Sequence, residues 1–484
     1  MTPDLPSQAR QAMITEGFTL ELSAGAQAQL SALEQGDPVT RDVPTPRDLR
    51  SLFWSSVDDA DSLDLDQVEV VERAAGDGLR LHIGIADVDH LVPRGSPLDE
   101  HAALNTTSVY TGVQTFPMLP DLLSTNLTSL NEGVDRLALV VSMTVTPTGE
   151  LEDTEIYPAI VRNHARLAYD TVGPWLEGGR RVLRDVRTLP LLAEQLRLQH
   201  EAALRLQTRR SDRGALALDT IDVQIVAVGG RVVELREVPN NAARELIEDF
   251  MIAANSGMAR YLEAAGVPAL RRVVGEPRGW KRLRVLAGEF GTTLPEQPDA
   301  PSLSRFIDER RAADPLHFPD LSLAVVKLLG AGEYAVDSLG NHAGGHFGLA
   351  VDDYTHSTAP NRRYADLIVQ RQLKALLSGS PPPYSLSELE SLAATCNERA
   401  SHARRVEREL RKVAAAALMA GRTGQRFDAI VTGVKETGTF VRLLHPPVEG
   451  RVTEGADSLH VGDSVRVQLL RTDMELGHLD FAAA

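Results

Sequence analysis

The chain has 484 residues, of which 43% are hydrophobic and 24% are charged, a composition typical of a globular protein. No apolar run reaches the ~18 to 20 residues of a membrane span, and the N-terminus lacks a signal-peptide core, so we expect a cytoplasmic protein without a membrane partner. The single cysteine, Cys396, excludes an intramolecular disulfide and a multi-cysteine zinc site. The formal net charge of −17 disfavours a polyanionic partner unless basic side chains cluster locally.

The first part of the chain changes from helical to strand periodicity. Residues 1–45 contain two short helical patterns and end in a proline-rich segment, which predicts a small helical N-terminal domain. From Gln67 to Val161, partly alternating apolar residues separated by Gly-containing turns predict strands that pair as hairpins. An acidic stretch therefore lies immediately before a sheet.

Long helical patterns follow, and short strands end the chain. Helical periodicity begins near Asn241, again at Pro360, and at Leu386, where Ser385 and Glu388 have capping-box spacing. The last residues alternate short strands with Gly or Asp turns, which suits a small closed barrel. We therefore predict an α+β fold in which a mixed sheet with packed helices (46–422) lies between the helical domain (1–45) and a small closed β-barrel (423–484).

The acidic stretch is dense enough to need a physical explanation. "SVDDADSLDLDQVEV", Ser56 to Val70, holds five aspartates and no lysine or arginine. Two carboxylates ~4 Å apart repel by about 4 kcal/mol at an effective dielectric of ~20. A solvated acidic turn would avoid this repulsion by spreading the charges, and a bound cation would offset it.

The spacing discriminates between cations. An EF-hand calcium loop is excluded, because counting from Asp59 places Leu63 at the fifth position and Asp64 where glycine is needed. Mg²⁺ prefers carboxylate oxygens, and Asp64 and Asp66 would project to the same side of an extended chain while Asp58 folds back from the preceding turn. Such a group could hold one Mg²⁺ or two ions ~4 Å apart, as in phosphodiester hydrolysis. The solvated turn remains the alternative.

Several sequence blocks resemble one family in the same order. They are "DDADSLDLDQ", "IADVDHLVPRGSPLD", "SVYTGVQTFPMLPDLLSTNLTSLN" and "GHFGLAVDDYTHSTAPNRRYADL". From about Arg47 to about Gly421 the chain resembles the catalytic RNB domain of the ribonuclease II/ribonuclease R family. The resemblance implies a processive, Mg²⁺-dependent 3′ to 5′ exoribonuclease that releases nucleoside 5′-monophosphates, with Mn²⁺ able to replace Mg²⁺.

The same resemblance implies a partner. This is single-stranded RNA with a free 3′ end, and we expect the protein to act as a monomer. An alternative from another functional class is a catalytically weakened RNA-binding regulator of the same fold.

The family's acidic motif has an aspartate followed by others six, eight and nine positions on. These metal-binding positions correspond to Asp58, Asp64, Asp66 and Gln67. Gln67 departs from the motif, and a neutral amide oxygen is a weaker ligand than a carboxylate. Either the nearby Asp59 and Asp61 supply the missing charge, or a water fills the position.

Other roles are carried over by position in the matching blocks. Asp66 and Arg362 would be the catalytic residues: Arg362 corresponds to the family's catalytic arginine, which neutralises charge on the phosphoryl oxygens, and Arg363 would assist on a neighbouring phosphate. Tyr110 resembles an aromatic that stacks on a base near the 3′ end, although a core tyrosine is an alternative interpretation. Glu248 matches a glutamate near the terminal ribose and would otherwise be a helix surface charge.

The C-terminal segment resembles an S-one-type RNA-binding domain, an OB-fold barrel. The resemblance implies that RNA lies on the face carrying Phe440 and Arg442, whereas Phe427 either stacks on RNA or packs inside. The family usually opens with cold-shock barrels, and here a helical segment precedes the motif. That segment resembles a helix-turn-helix, which would either contact nucleic acid or pack on the catalytic domain.

Overall fold

A mixed sheet forms the centre of the molecule. The computed structural model describes residues 4–36, 45–179, 190–219, 221–228, 231–435, 438–456 and 458–483. The first eight strands are β1 Arg47–Asp48, β2 Trp54–Asp58, β3 Gln67–Arg73, β4 Leu79–Ala86, β5 Val109–Tyr110, β6 Thr115–Phe116, β7 Asp135–Val145 and β8 Leu151–Ala168. Six of them form one sheet in the order β1-β8-β2-β3-β4-β7, and β5 pairs with β6 separately.

The long strand β8 determines the shape of this sheet. Its first part pairs antiparallel with β7, and its last residues pair in parallel with β2. Because β8 pairs with both β2 and β7, it connects the two sides of the sheet. The acidic loop runs from the end of β2 to the start of β3, at one end of the sheet. Gln67 to Val71 of β3 are all buried, because helices and neighbouring strands cover both faces.

Helices surround the sheet and make up most of the remaining chain. They are α1 Leu5–Thr15, α2 Ala24–Gln35, α3 Pro97–Asn105, α4 Tyr169–Leu176, α5 Pro190–Asp212, α6 Ala242–Ala264, α7 Trp280–Glu289, α8 Ala300–Ala313, α9 Phe318–Leu329, α10 Tyr364–Leu377 and α11 Leu386–Met419. Short helical turns occur at Ala75–Asp77, Leu122–Leu127 and Phe347–Leu349. Two further antiparallel strand pairs are the hairpin of β9 Asp222–Val228 with β10 Arg231–Val238, and β11 Ala269–Val273 with the distant β12 Glu333–Asp337.

Local chemistry accounts for the helix ends. The side chain of Asn241 accepts hydrogen bonds from two backbone amides in the first turn of α6, and the predicted capping box of Ser385 and Glu388 is present at the start of α11. The predicted helix start at Pro360 is wrong. The chain makes a turn there, closed by Arg363 N donating to Ala359 O at 3.0 Å, and α10 begins only at Tyr364.

The N-terminal helices pack on the rest of the molecule. The apolar face of α1 contacts α11, and α2 lies against α3. Arg399 of α11 donates to the backbone oxygen of Gly17 at 2.8 Å and so holds the turn between α1 and α2. Most of the predicted proline-rich segment, residues 37–44, lies outside the described residues.

The C-terminal strands close into the predicted barrel. They are β13 Arg426–Lys435, β14 Gly438–Leu443, β15 Glu449–Glu454, β16 Ser464–Asp473 and β17 His478–Ala483, in the order β13-β14-β15-β17-β16. Phe427 packs inside, 7% exposed, with the guanidinium of Arg422 4.9 Å from its ring centroid. The end of α11 packs on the barrel through the same apolar core.

A separate apolar core joins α7, α8 and α9 around Trp280 and Phe306. Across the described ranges, helices that combine the length and apolar character of a membrane span are absent.

Candidate metal and RNA site

The acidic loop between β2 and β3 is held from both sides by the protein. Arg166 of β8 donates to the backbone oxygens of Ala60, at 3.3 Å, and Ser62. Ser129 Oγ accepts from Leu65 N at 3.0 Å and thereby fixes the other end of the loop. These bonds to the backbone set the path of a segment that has no secondary structure of its own.

A third anchor comes from α6. Arg244 Nη2 donates to Asp59 Oδ1 at 2.5 Å, and its guanidinium lies 4.4 Å from the ring centroid of Tyr169. Asp59 is thus neutralised within the protein. Its carboxylate is a poor replacement for the charge that Gln67 lacks.

Asp66 is the most buried aspartate of the acidic loop, at 1% exposure. Its Oδ1 accepts from Asn361 N at 3.0 Å, and its Oδ2 accepts from Arg362 Nε at 3.1 Å. Burial raises the pKa of Asp66 to about 7, although the charge of Arg362 acts in the opposite direction. The predicted catalytic pair is therefore brought into contact from positions 296 residues apart.

Asp58, Gln67 and Glu69 form a second group at the start of the sheet. Gln67 Nε2 donates to Asp58 Oδ1 at 3.3 Å, while Asp58 Oδ2 is buried and has no hydrogen-bond donor among the described residues. Burial raises the pKa of Asp58 to about 6. Burial, followed by the charge of Asp58, raises the pKa of Glu69 well above its usual range.

The remaining aspartate of the motif, Asp64, lies at the edge of a large cavity. Its Oδ2 accepts from the hydroxyl of Tyr110 at 2.9 Å, and Tyr110 is 43% exposed. The cavity has a volume of about 660 Å³ and lies between the acidic loop, β9 and α11. Tyr110 thus has an accessible ring at the site entrance, which a core tyrosine would lack.

The three aspartates of the motif do not converge on one point. Within the described part of the chain, the one group of three acidic or histidine side chains with ligand atoms within 4.8 Å of one another lies elsewhere, at Glu263, Asp337 and His342. Each motif aspartate is instead held by a protein donor. The buried Asp58 Oδ2 is the acceptor that remains without one, and an orphaned carboxylate oxygen fits a divalent cation.

Two of the predicted RNA-binding arginines are engaged in ion pairs. Arg363 Nη2 donates to Asp366 Oδ1 at 2.7 Å, and Asp366 is fully buried. Arg442 is 8% exposed and donates twice to the carboxylate of Asp320 on α9, at 3.2 and 2.8 Å. In this structure Arg442 therefore joins the barrel to the helical subdomain formed by α7, α8 and α9.

The other two predicted RNA contacts lie on surfaces. Glu248 is exposed on α6, beside a buried ion pair between Asp249 and Arg210. Phe440 is half-buried on β14, opposite Arg451 of β15.

Sequence reasoning missed several residues that shape the site. Glu69 appears in the sequence as the polar member of an alternating strand, and no pattern marks it as buried. Arg166 and Ser129 act on backbone atoms of the loop, a role that leaves no spacing signal. Tyr169 follows β8 directly, and burial together with the charges of Asp58 and Glu69 raises its pKa.

Comparison with known proteins places this arrangement in a family. The RNB domain model matches residues 46–379, and the model of the RNase II-type exonuclease C-terminal S1 domain matches residues 425–484. The chain belongs to the RNB-domain family, and its terminal barrel is an S1 domain.

The relatives make the similarity more specific. The chain is 31% identical to Ribonuclease R of Vibrio cholerae over 99% of its own length, and it spans 62% of that protein. It matches the structure of Mycoplasma genitalium RNase R in complex with ribose methylated single-stranded RNA with a TM-score of 0.89, at 23% identity, covering 99% of this chain and 78% of that one. Yeast Ssd1, described as a pseudonuclease, also shares the fold, with a TM-score of 0.72 at 17% identity, covering 96% of this chain and 57% of that one.

Proposed function

We propose that this protein is a processive 3′ to 5′ exoribonuclease that hydrolyses single-stranded RNA to nucleoside 5′-monophosphates with Mg²⁺ or Mn²⁺. The observation that carries the proposal is the contact between Asp66 and Arg362, 3.1 Å apart, beside an acidic loop pinned by three anchors. Structural ion pairs are common, but a structural role would not need the four further carboxylates of this loop.

The residues present are suited to hold a divalent cation. Asp58, Asp64 and Asp66 would be its ligands, with Gln67 beside them, and the cation would supply Lewis-acid activation of the phosphodiester. The buried and unpaired Asp58 Oδ2 supports this assignment. Gln67 now donates to Asp58, so its amide oxygen is the atom that remains for a ligand role.

Arg362 would act on the substrate directly. Its side chain is 41% exposed although its Nε is bonded to the buried Asp66, so the rest of the guanidinium can reach a phosphate. A fixed cation beside the scissile linkage stabilises the charge that develops on the phosphoryl oxygens. Asp66 would therefore both bind the cation and orient Arg362.

The RNA would approach through the cavity lined by Tyr110. The exposed ring offers a stacking surface for a base, at about 1 to 3 kcal/mol per stacked base. Glu248, exposed on α6, is proposed to accept from the 2′-hydroxyl of the terminal ribose, and Phe440 to contact RNA on the barrel. For Arg363 and Arg442, binding of RNA would require breaking the ion pairs with Asp366 and Asp320.

The alternative function is an RNA-binding regulator in which Gln67 has abolished metal binding. The fold alone does not exclude it, since a pseudonuclease shares this fold. The pairing of Asp66 with Arg362 favours the enzyme, because a regulator has no need to keep both groups in contact.

The test is hydrolysis of a 3′-labelled single-stranded RNA in the presence of Mg²⁺. The proposal predicts immediate release of labelled 5′-mononucleotide, its loss in Asp66→Asn, and its retention in Glu72→Gln, which neutralises an exposed carboxylate on β3. A DNA strand of the same sequence should remain intact. RNA binding without mononucleotide release by the wild type would support the regulator instead.

A further inference from the structure

Glu69 is a buried carboxylate that the proposed mechanism does not use. It is 0% exposed, and neither of its carboxylate oxygens has a hydrogen-bond donor within the described residues. An isolated buried carboxylate is strongly unfavourable, because it loses hydration without gaining a partner. Such a group either carries a proton or faces a cation.

The backbone places Glu69 beside the acidic motif. Gln67 and Glu69 are two residues apart on β3, so their side chains lie on the same face of the strand. Gln67 contacts Asp58 at 3.3 Å, and Ser55 of β2, three residues before Asp58, lies directly opposite Glu69. Two neighbouring carboxylates thus share a buried region, and three of their four oxygens have no donor.

A further oxygen belongs to the same region. Gln199 of α5 is 0% exposed, and its Nε2 donates to Ser55 Oγ at 3.2 Å and to the backbone oxygen of Glu69 at 3.3 Å. A backbone oxygen can only accept, so the amide orientation is fixed. This leaves Gln199 Oε1 as another buried acceptor without a donor.

We propose that Asp58 and Glu69, with the amide oxygen of Gln199, bind a divalent cation of the Mg²⁺ and Mn²⁺ class, and that Glu69 supplies the carboxylate that the acidic motif lacks at Gln67. The orphaned atoms are carboxylate and amide oxygens, the ligands that these hard cations prefer. The inference rests on the proposed role of the acidic loop as a metal site. It adds a ligand that lies outside the motif.

The experiment measures Mn²⁺ binding to the full chain by isothermal titration and by the electron paramagnetic resonance signal of free Mn²⁺. Glu69→Gln keeps the size of the side chain and removes its charge, so we expect Mn²⁺ affinity to fall by about tenfold or more. Glu72→Gln is the matched control on the same strand, because Glu72 is exposed and pairs with His82. Its Mn²⁺ affinity should equal that of the wild type.

Two further measurements separate a ligand from a structural residue. Without metal, Glu69→Gln should unfold at the same temperature as the wild type or higher, because it replaces a buried carboxyl group whose oxygens have no hydrogen-bond donor among the described residues. The double variant Gln67→Asp with Glu69→Gln should regain Mn²⁺ affinity, since a carboxylate returns to the motif. Unchanged Mn²⁺ affinity in Glu69→Gln, or a lowered unfolding temperature that Mn²⁺ does not affect, would overturn the inference.

This result is independent of RNA turnover. Mn²⁺ binding that depends on Glu69 in a protein that releases no mononucleotide would leave this site intact and reject the exoribonuclease. Mononucleotide release together with Mn²⁺ binding that does not depend on Glu69 would support the exoribonuclease and reject Glu69 as a ligand.

Discussion

Arg362 and Arg363 are neighbours in the chain and occupy different environments. Arg362 is 41% exposed and is bonded to Asp66 through one nitrogen. Arg363 is bonded to a different carboxylate, that of the buried Asp366. The first geometry leaves donors for a phosphate, and the second satisfies a charge inside the protein. Adjacent arginines of one motif therefore have different predicted roles, one in catalysis and one in stability.

Substitution of Arg362 by Ala should lower kcat by about 10²- to 10³-fold, because it removes a fixed positive charge at the phosphoryl group. The unfolding temperature should also fall, since the substitution leaves the buried Asp66 without its cation, so both proteins are compared at a temperature where each is folded. Single-turnover hydrolysis of a labelled RNA gives the rate, and thermal unfolding provides the control. A kcat within a few fold of the wild type would contradict the role of Arg362.

The substitution Arg363→Ala should instead destabilise the protein by about 3 kcal/mol, because it leaves Asp366 buried without its cation. The free energy of unfolding in urea is the measurement. Arg363→Ala with normal stability and a strongly lowered RNA affinity would show that Arg363 leaves Asp366 to bind phosphate.

At the scale of elements, the acidic loop depends on β8 for its conformation. Arg166→Ala removes the donors to the carbonyls of Ala60 and Ser62, so the loop carboxylates lose their fixed spacing. We expect Mn²⁺ affinity to fall by about 10- to 100-fold. Arg162→Ala on the same strand removes only a surface pair with Asp135 and should leave Mn²⁺ affinity unchanged.

The short helix Phe347–Leu349 should make stability depend on pH. His346 Nδ1 accepts from Leu349 N at 3.2 Å and must be unprotonated to do so. Burial, and then the charge of Arg272, lowers the pKa of His346 to about 4. An unfolded histidine titrates near pH ~6.5, so the unfolded state binds the proton more tightly and stability falls as pH drops from about 6.5 towards 4.

The variant His346→Asn keeps a capping acceptor and removes the titration. Its urea midpoint should therefore fall less between pH 7 and pH 5 than that of the wild type. The urea midpoint is followed by the fluorescence of the three tryptophans, of which Trp280 lies 6.4 Å from the ring of Phe347. An equal fall in both proteins would show that His346 does not cause the acid sensitivity.

At the scale of the whole molecule, Arg442 and Asp320 connect the barrel to the helical subdomain. Both side chains are nearly buried, and the two hydrogen bonds are parallel, which is a strong geometry for an ion pair. A double-mutant cycle with Arg442→Ala and Asp320→Ala should give a coupling energy of about 1 to 3 kcal/mol in the free energy of unfolding. Additive effects would mean that the pair does not hold the barrel.

The same two variants test whether Arg442 also binds RNA. If the arginine leaves Asp320 to contact a phosphate, Asp320→Ala should tighten RNA binding and Arg442→Ala should weaken it. Equal RNA affinity in both variants would restrict Arg442 to the domain contact.

Much of the fold could be predicted from the sequence because it depends on local patterns. The alternation along β3 and β4, the capping box of α11 and the turn residues of the barrel act over a few residues. The roles of Asp66 and Arg362 are predicted through a family resemblance, but their contact is not, since no local rule joins residues 296 positions apart. The start of α10 was misplaced because Pro360 suits a turn as well as a first helical position.

The ion pairs of Arg363 and Arg442 could not be predicted in the same way. Each depends on a carboxylate that tertiary packing brings close, and an arginine motif looks the same whether its partner is a phosphate or an aspartate. Burial of Glu69 depends on α5 covering the edge of β3, where Gln195 and Gln199 bond to its backbone. The alternation of apolar and polar residues in β3 does not indicate that α5 packs over Glu69.

Carboxylates at the head of the sheet are proposed to hold a divalent cation beside the last linkage of an RNA strand. The most direct measurement is anomalous diffraction at the manganese edge from crystals grown with Mn²⁺ and a short RNA that resists hydrolysis. A metal site at the acidic loop predicts an anomalous peak in contact with Asp58 and Asp66, next to a phosphate bound by Arg362. RNA bound at Arg362 without an anomalous peak at the acidic loop would contradict it.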